Sequence, residues 1–241
     1  LAAVPAAAVP SDAIILAGGK AERLGEAARG LPKPLVPVAG RPLIAYQIAR
    51  LREAGIGRVL ISCAAGTGAR FVERLGDCGV EVVPVEEQEP LGRGGGIRNA
   101  ASARGGEEAV LALNGDELLD VDLRALVAAH RAAGAAATIT VFPLVSPFGI
   151  VRLGGDGFVQ GFTEESPRLP HWVNAGLYVL EQEALDRFPE RGDHERTTFP
   201  ELAREGRLYS YRHEGHWLTV NTPKQLRAAE EYVSAHPEWL A

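Results

Sequence analysis

Ala13-Ile14-Ile15-Leu16-Ala17-Gly18-Gly19-Lys20-Ala21-Glu22-Arg23-Leu24, followed by Leu31-Pro32-Lys33-Pro34-Leu35, is the stretch whose reading decides the fold. Residues 13–16 form a short apolar run closed by glycines, the pattern of a buried parallel strand. The glycines then expose backbone N–H groups with no Cβ in the way. Lys20 and Arg23 flank those amides, and Lys33 is held between two prolines. Backbone donors beside fixed cations suit a polyphosphate. Gly18-Gly19 alone reads equally well as an ordinary turn; the whole stretch is what points to a ligand.

Outward from this loop, helical and strand patterns alternate. Leu43, Ile44, Gln47, Ile48 and Leu51 form a helical stripe within 41–54, and Gly55 suits the C′ position. Strands are expected at 58–62, 80–85, 109–113 and 137–142. A short helix is expected at 68–75. A second glycine-rich loop at 89–96 leads into a helix reaching about residue 103. Asp122 can N-cap a helix over 123–132, with Gly134 closing it. This alternation argues for a parallel sheet covered on both faces, with ligands beyond the carboxyl ends of the strands. The first loop, the second glycine loop and Asp116 all fall at that edge. Asp116, in Asn114-Gly115-Asp116, suits a Mg²⁺ ion held beside phosphates, or else a turn. Glu117, Asp120 and Asp122 read as turn or cap residues.

From Ser146 the pattern changes. A hairpin is expected around residues 154–157, then strands at 172–180, 208–212 and 217–220. Helices are expected at 182–188 and 199–205, with a last one opened by Pro223. Residues 1–12 read as a loosely ordered tail. Residues 13–241 read as one domain, whose first half is 13–145 and whose closing half, 146–241, completes a pocket. Asn221 offers an amide oxygen, either to a metal or as a helix cap.

The 241 residues carry a formal charge of −6 and are 46% hydrophobic, an ordinary globular balance. No clustered positive charge suggests a nucleic-acid or membrane surface. No apolar run reaches the roughly 18–20 residues of a membrane span. Two cysteines, Cys63 and Cys78, suit a reduced cytoplasmic protein. No Ser/His/Asp arrangement implies a covalent nucleophile. The six histidines lack metal-ligand spacing, and most are expected to be solvated or satisfied locally.

These motifs resemble those of sugar-1-phosphate nucleotidyltransferases, the NDP-sugar pyrophosphorylases. The resemblance runs from Leu16-Ala17-Gly18-Gly19 and Arg23 through Pro32-Lys33-Pro34, Pro90-Leu91-Gly92, Gly115-Asp116, Phe148-Gly149, Phe162-Thr163-Glu164 and Asn174-Ala175-Gly176 to Val220-Asn221. The second glycine loop is most similar to that of mannose- and heptose-1-phosphate guanylyltransferases. The resemblance implies a Rossmann-like α/β fold, with a mixed, mainly parallel sheet flanked by helices and a small β-rich sugar-binding extension. It implies transfer of a nucleotidyl group from an NTP, GTP first, to a sugar 1-phosphate, with Mg²⁺ as cofactor and self-association allowed. Arg23 and Lys33 would be catalytic. Leu16, Ala17, Gly18, Gly19, Lys20, Gln88, Pro90, Gly92, Arg93 and Gly94 would line the nucleotide site, Arg93 at a guanine edge or else at phosphate or in solvent. Gly115, Gly149, Glu164 and Asn174 would hold the sugar, and Asp116 with Asn221 the metal. The chain departs from the pattern at Ala21, Glu22, Glu165 and Thr219. Where many members place a lysine for the sugar phosphate it has Glu165, so Arg168 or another cation is expected to replace it. A weakly catalytic, ligand-binding paralogue is the second reading, and a transferase using a non-sugar phosphate the third.

Overall fold

The computed structural model describes residues 9–19, 21–106, 108–146, 148–164 and 168–239. Seven strands form the main sheet: β1 (Asp12–Leu16), β2 (Arg58–Ala64), β3 (Glu81–Glu87), β4 (Val110–Asn114), β5 (Ala137–Val145), β6 (Arg168–Leu180) and β7 (Leu208–Arg212). Their order across the sheet is β7-β5-β6-β4-β1-β2-β3. The pairs β1–β2, β1–β4, β2–β3 and β5–β7 are parallel. Strand β6 runs antiparallel to both β4 and β5, so the sheet is mixed and mainly parallel. The order reverses between β1 and β4, which opens a crevice beyond their carboxyl ends.

Helices cover both faces. Ile15 packs with Ile44, Ile48 and Leu51 of α1 (Leu43–Ala54) and with Leu126 and Val127 of α4 (Leu123–Ala133), while α2 (Gly68–Leu75) adds Phe71. Its neighbour Ile14 faces the other way, onto Ile97 and Ala100 of α3 (Gly92–Ala101), Ala184 of α5 (Gln182–Asp186) and Leu202 of α6 (Thr198–Arg204). This is the alternation a two-faced strand requires. The expected caps are present. The Asp122 carboxylate accepts from the N–H groups of Arg124 and Ala125, and Gly55 and Gly134 close α1 and α4 in the left-handed conformation.

Three features differ from the sequence reading. The second glycine-rich stretch is the first turn of α3, not a loop. Residues 9–12 are packed rather than a tail: Ser11 O accepts from Gly57 and Arg58, and Asp12 pairs with Arg58 at 2.7 Å. Residues 1–8 lie outside the described residues. The hairpin Ile150–Leu153 with Val159–Thr163 forms as expected but stands as a separate two-stranded sheet.

Candidate functional site

The crevice holds a cluster of four polar side chains drawn from distant segments. Leu24, 2% exposed, packs with Leu43, Tyr46, Val220 and Val233 and so anchors the turn that carries Arg23. Lys33 is 8% exposed, and its ammonium contacts both Asp116 Oδ2 and Asn221 Oδ1. Arg23 Nη2 donates to the same Asn221 oxygen at 2.9 Å. Asn221 arrives there because the short strand Trp217–Thr219 pairs antiparallel with Glu117–Leu119, and Val220 N donates to Asp116 O at 2.9 Å. The helix α7 (Pro223–Ala235) is capped by Thr222, whose hydroxyl accepts from Gln225 N. Asn221 is therefore not the cap, and its side chain serves the cluster.

These residues line a cavity of about 550 Å³ together with Leu16, Gly18, Gly19, Pro90, Gly92 and Arg93. A second cavity of about 540 Å³ adjoins it, lined by Asn174, Glu195, Phe199 and Pro200. Arg93, Asn114 and Glu117 belong to both linings.

The start of α3 is closed by the chain itself. Gly192 O accepts from Gly94 N at 2.8 Å and Gly95 N at 3.3 Å, and the Asp193 carboxylate accepts from Arg93 N at 3.2 Å. These groups occupy the amides that an anion would otherwise take at a helix N-terminus. Burial pushes the Asp193 carboxyl up, but the Arg93 N–H and guanidinium outweigh it and hold it below its usual range. The Arg93 side chain lies between Glu195, at 2.7 Å, and Asp193, at 3.5 Å. Glu195 Oε1 in turn accepts from Asn174 Nδ2 at 2.8 Å and Tyr178 OH at 3.2 Å. His194, fully buried, stacks on Phe188 and has no hydrogen bond at either ring nitrogen among the described residues. Burial, helped by the nearby Arg93 charge, lowers its pKa to about 4. It is thus an exception to the expectation that most histidines are solvated or satisfied locally.

Glu117, expected to be a turn residue, is buried beside Asp116 at the junction of the two cavities. Burial, with the Asp116 charge second, pushes its carboxyl up to about 8. Asn114 Nδ2 donates to its Oε1 at 3.3 Å, while Oε2 has no partner among the described residues.

Several expected site residues do not line these two cavities or are engaged by the chain itself. Gly94 is buried under Gly192 and lines neither cavity. Ala17 donates its N–H to Ser62 O at 2.7 Å, and Gly115 donates to Leu16 O at 2.9 Å; both serve the packing of strand ends. A Cβ at Gly115 would lie 2.5 Å from Leu16 O, so the glycine is needed for that approach. Gln88 is exposed past the end of β3. Gly149 and Glu164 are neighbours at the hairpin but border neither cavity. Asn174 does border the second cavity, yet its amide is already used by Tyr178, Glu195 and Gly176 N. Arg168 pairs with Glu214 at 3.1 Å on the exposed start of β6. Lys20 and Glu165 lie outside the described residues. Sequence reasoning missed Glu117, Asp193 and Glu195. The signal for each was an unexplained carboxylate: Asp193 and Glu195 meet Arg93 from a remote segment, and the burial of Glu117 depends on the fold.

The residues present fit a divalent cation. Asp116 and Asn221 turn one carboxylate oxygen and one amide oxygen toward a single positive group, the Lys33 ammonium. Mg²⁺ takes hard oxygen ligands of this kind and completes its shell with phosphate and water. The Thr219 hydroxyl accepts from Gln225 Nε2 of α7 at 2.8 Å. Among the described residues no group of three or more His, Cys, Asp or Glu side chains forms a metal cage. No described helix is long and apolar enough to cross a membrane.

The chain is similar to several known proteins. Mannose-1-phosphate guanylyltransferase of Mycobacterium tuberculosis is 34% identical over 223 residues, covering 88% of this chain. The chain spans only 62% of that relative's length. Mannose-1-phosphate guanyltransferase of Candida albicans is 31% identical, covering 94% of this chain and 67% of the relative. The crystal structure of HddC from Yersinia pseudotuberculosis shares the fold at a TM-score of 0.72 and 21% identity, covering 92% of this chain and 99% of that one. The family model described as nucleotidyl transferase matches residues 12–235. The chain belongs to the nucleotidyl transferase family.

Proposed function

We propose that this chain transfers a nucleotidyl group from an NTP to a sugar 1-phosphate, releasing pyrophosphate. The names of its relatives favour GTP and mannose 1-phosphate. The observation that carries the reading is the convergence of Arg23, Lys33, Asp116 and Asn221 beside the exposed backbone of Gly18 and Gly19. An acceptor phosphate oxygen forms a bond to the α-phosphorus. The bond from that phosphorus to the β-bridging oxygen breaks, and pyrophosphate leaves with the electron pair. Such a step needs positioning and charge neutralisation rather than a protein nucleophile. Arg23, on the exposed rim, is placed to hold the departing pyrophosphate. Lys33, buried between two oxygens, would neutralise charge at the α-phosphate. Asp116 and Asn221 would hold Mg²⁺, which supplies neutralisation of phosphate charge. The second cavity suits the sugar, since Glu117 Oε2, without a partner among the described residues, can meet a hydroxyl beside the apolar wall of Phe199 and Leu208. The unpaired cysteines Cys63 and Cys78 suit a reducing compartment such as the cytoplasm.

The test is pyrophosphate release with a panel of five NTPs and several sugar 1-phosphates in the presence of Mg²⁺. GTP with mannose 1-phosphate should be the fastest pair. Nucleotide binding without turnover of any pair would overturn the transferase reading in favour of a ligand-binding paralogue.

A further inference from the structure

We infer that Arg93 holds the phosphate of the acceptor, not the edge of the base. This rests on the transferase reading above. Bond formation requires the α-phosphate and the acceptor phosphate to meet, about 3–3.5 Å apart at the reacting atoms. With a nucleotide in one cavity and a sugar in the next, the meeting point is the boundary between them. Arg93, Asn114 and Glu117 are the residues common to both linings, and Arg93 is the one cation among them. Arg23 and Lys33 line the first cavity alone. The other cation raised by the sequence, Arg168, is paired with Glu214 and lines neither.

The guanidinium is also fixed in advance. Glu195 holds Nη2 and Asp193 lies at Nε, while Nη1 makes no hydrogen bond to a described residue. Glu195 is itself fixed by Asn174 and Tyr178. An anchored planar fork loses little freedom when it binds a phosphate. The two carboxylates offset the arginine charge, so what remains is a directed donor edge. The additional positive charge a phosphate needs comes from Lys33 across the boundary. The expected contribution is therefore tens-fold rather than thousands-fold. In this arrangement Asn174 is a positioning residue that acts through Glu195.

Steady-state kinetics of Arg93→Ala and Arg93→Lys against the unaltered chain test this. Turnover by the unaltered chain is the control for the transferase reading; without it, both that reading and this assignment fail. Given turnover, Arg93→Ala should raise KM for the sugar 1-phosphate by about twentyfold or more, as expected for a lost charge-assisted contact. KM for the NTP and the ranking of the five NTPs should stay within about threefold. Arg93→Lys should recover part of the acceptor KM, which general loosening of the loop would not do. An unchanged acceptor KM, or an altered NTP ranking with the acceptor KM intact, would overturn the assignment. If Arg93→Ala does not fold, Arg93→Lys decides by the same KM split.

Discussion

The chain has two glycine-rich stretches at one sheet edge, and they serve opposite ends. Gly18 and Gly19 are exposed. A Cβ on Gly19 would meet nothing within 4 Å, and one on Gly18 only Glu87 Oε1 at 3.8 Å. Gly94 and Gly95 are buried. A Cβ on Gly95 would lie 2.4 Å from Glu190 O, and one on Gly94 2.7 Å from His194 N. The first pair leaves backbone open toward solvent and ligand. The second lets one part of the backbone press against another. Composition is the same in both; the difference lies in a loop about a hundred residues further along, which reaches only the second.

That difference can be pressed experimentally, beginning on the open side. Asp116→Ala should lower kcat at least about a hundredfold, since it removes fixed electrostatic stabilisation, an effect far larger than the stability lost when Lys33 is left without its carboxylate partner. Near-normal turnover would remove Asp116 from the chemistry. Gly95→Ala should do the reverse. Its methyl would strike backbone rather than a movable side chain, so it should cost about 2–3 kcal/mol of stability in denaturant titrations. A stability loss below about 0.5 kcal/mol would mean that the 189–195 loop yields easily.

His194 supplies a pH test of the closed side. Its folded pKa of about 4 lies below the ordinary value of 6.5. Between those values the unfolded chain takes up a proton that the folded chain excludes, so stability falls as pH falls from 6.5 toward 4. His194→Phe keeps a ring stacked on Phe188 and removes that linkage. The variant should lose about 2 kcal/mol less than the unaltered chain between pH 7 and pH 5. Parallel stability curves across that range would show that His194 is protonated without penalty. The smallest effect is expected at Gly19→Ala. Stability should change by no more than about 0.5 kcal/mol, while KM for the NTP rises a few-fold because the methyl enters the approach to the amides. An unchanged KM would mean that the backbone there touches no nucleotide.

The same contrast explains what could be read from the residues in advance. The bounds of α1, the Asp122 cap and Gly134 were legible because their causes are local: a stripe, a cap and a turn residue within a few positions. Lys33 and Asp116 were legible because motif spacing places both at one sheet edge. The helical start at Gly92 was not, because its amides are satisfied by Gly192 and Asp193. Nor was the insertion of β6 between β4 and β5, which depends on pairing across a long stretch of chain. Asn221 read as a cap or a metal ligand. Only the structure shows that Thr222 does the capping.

The hydrogen bond between Arg23 and Asn221 joins positions 198 residues apart. Contacts so distant in the chain form late, because the intervening loop must first be closed by other structure. During synthesis the N-terminal strand, α1 and the glycine turn leave the ribosome long before residue 221 does. Until it emerges and α7 packs behind it, Arg23 and Lys33 lack the oxygen that gathers them. Under the proposed function, a nascent fragment with a well-formed sheet would still lack the oxygen that joins Arg23 to Lys33.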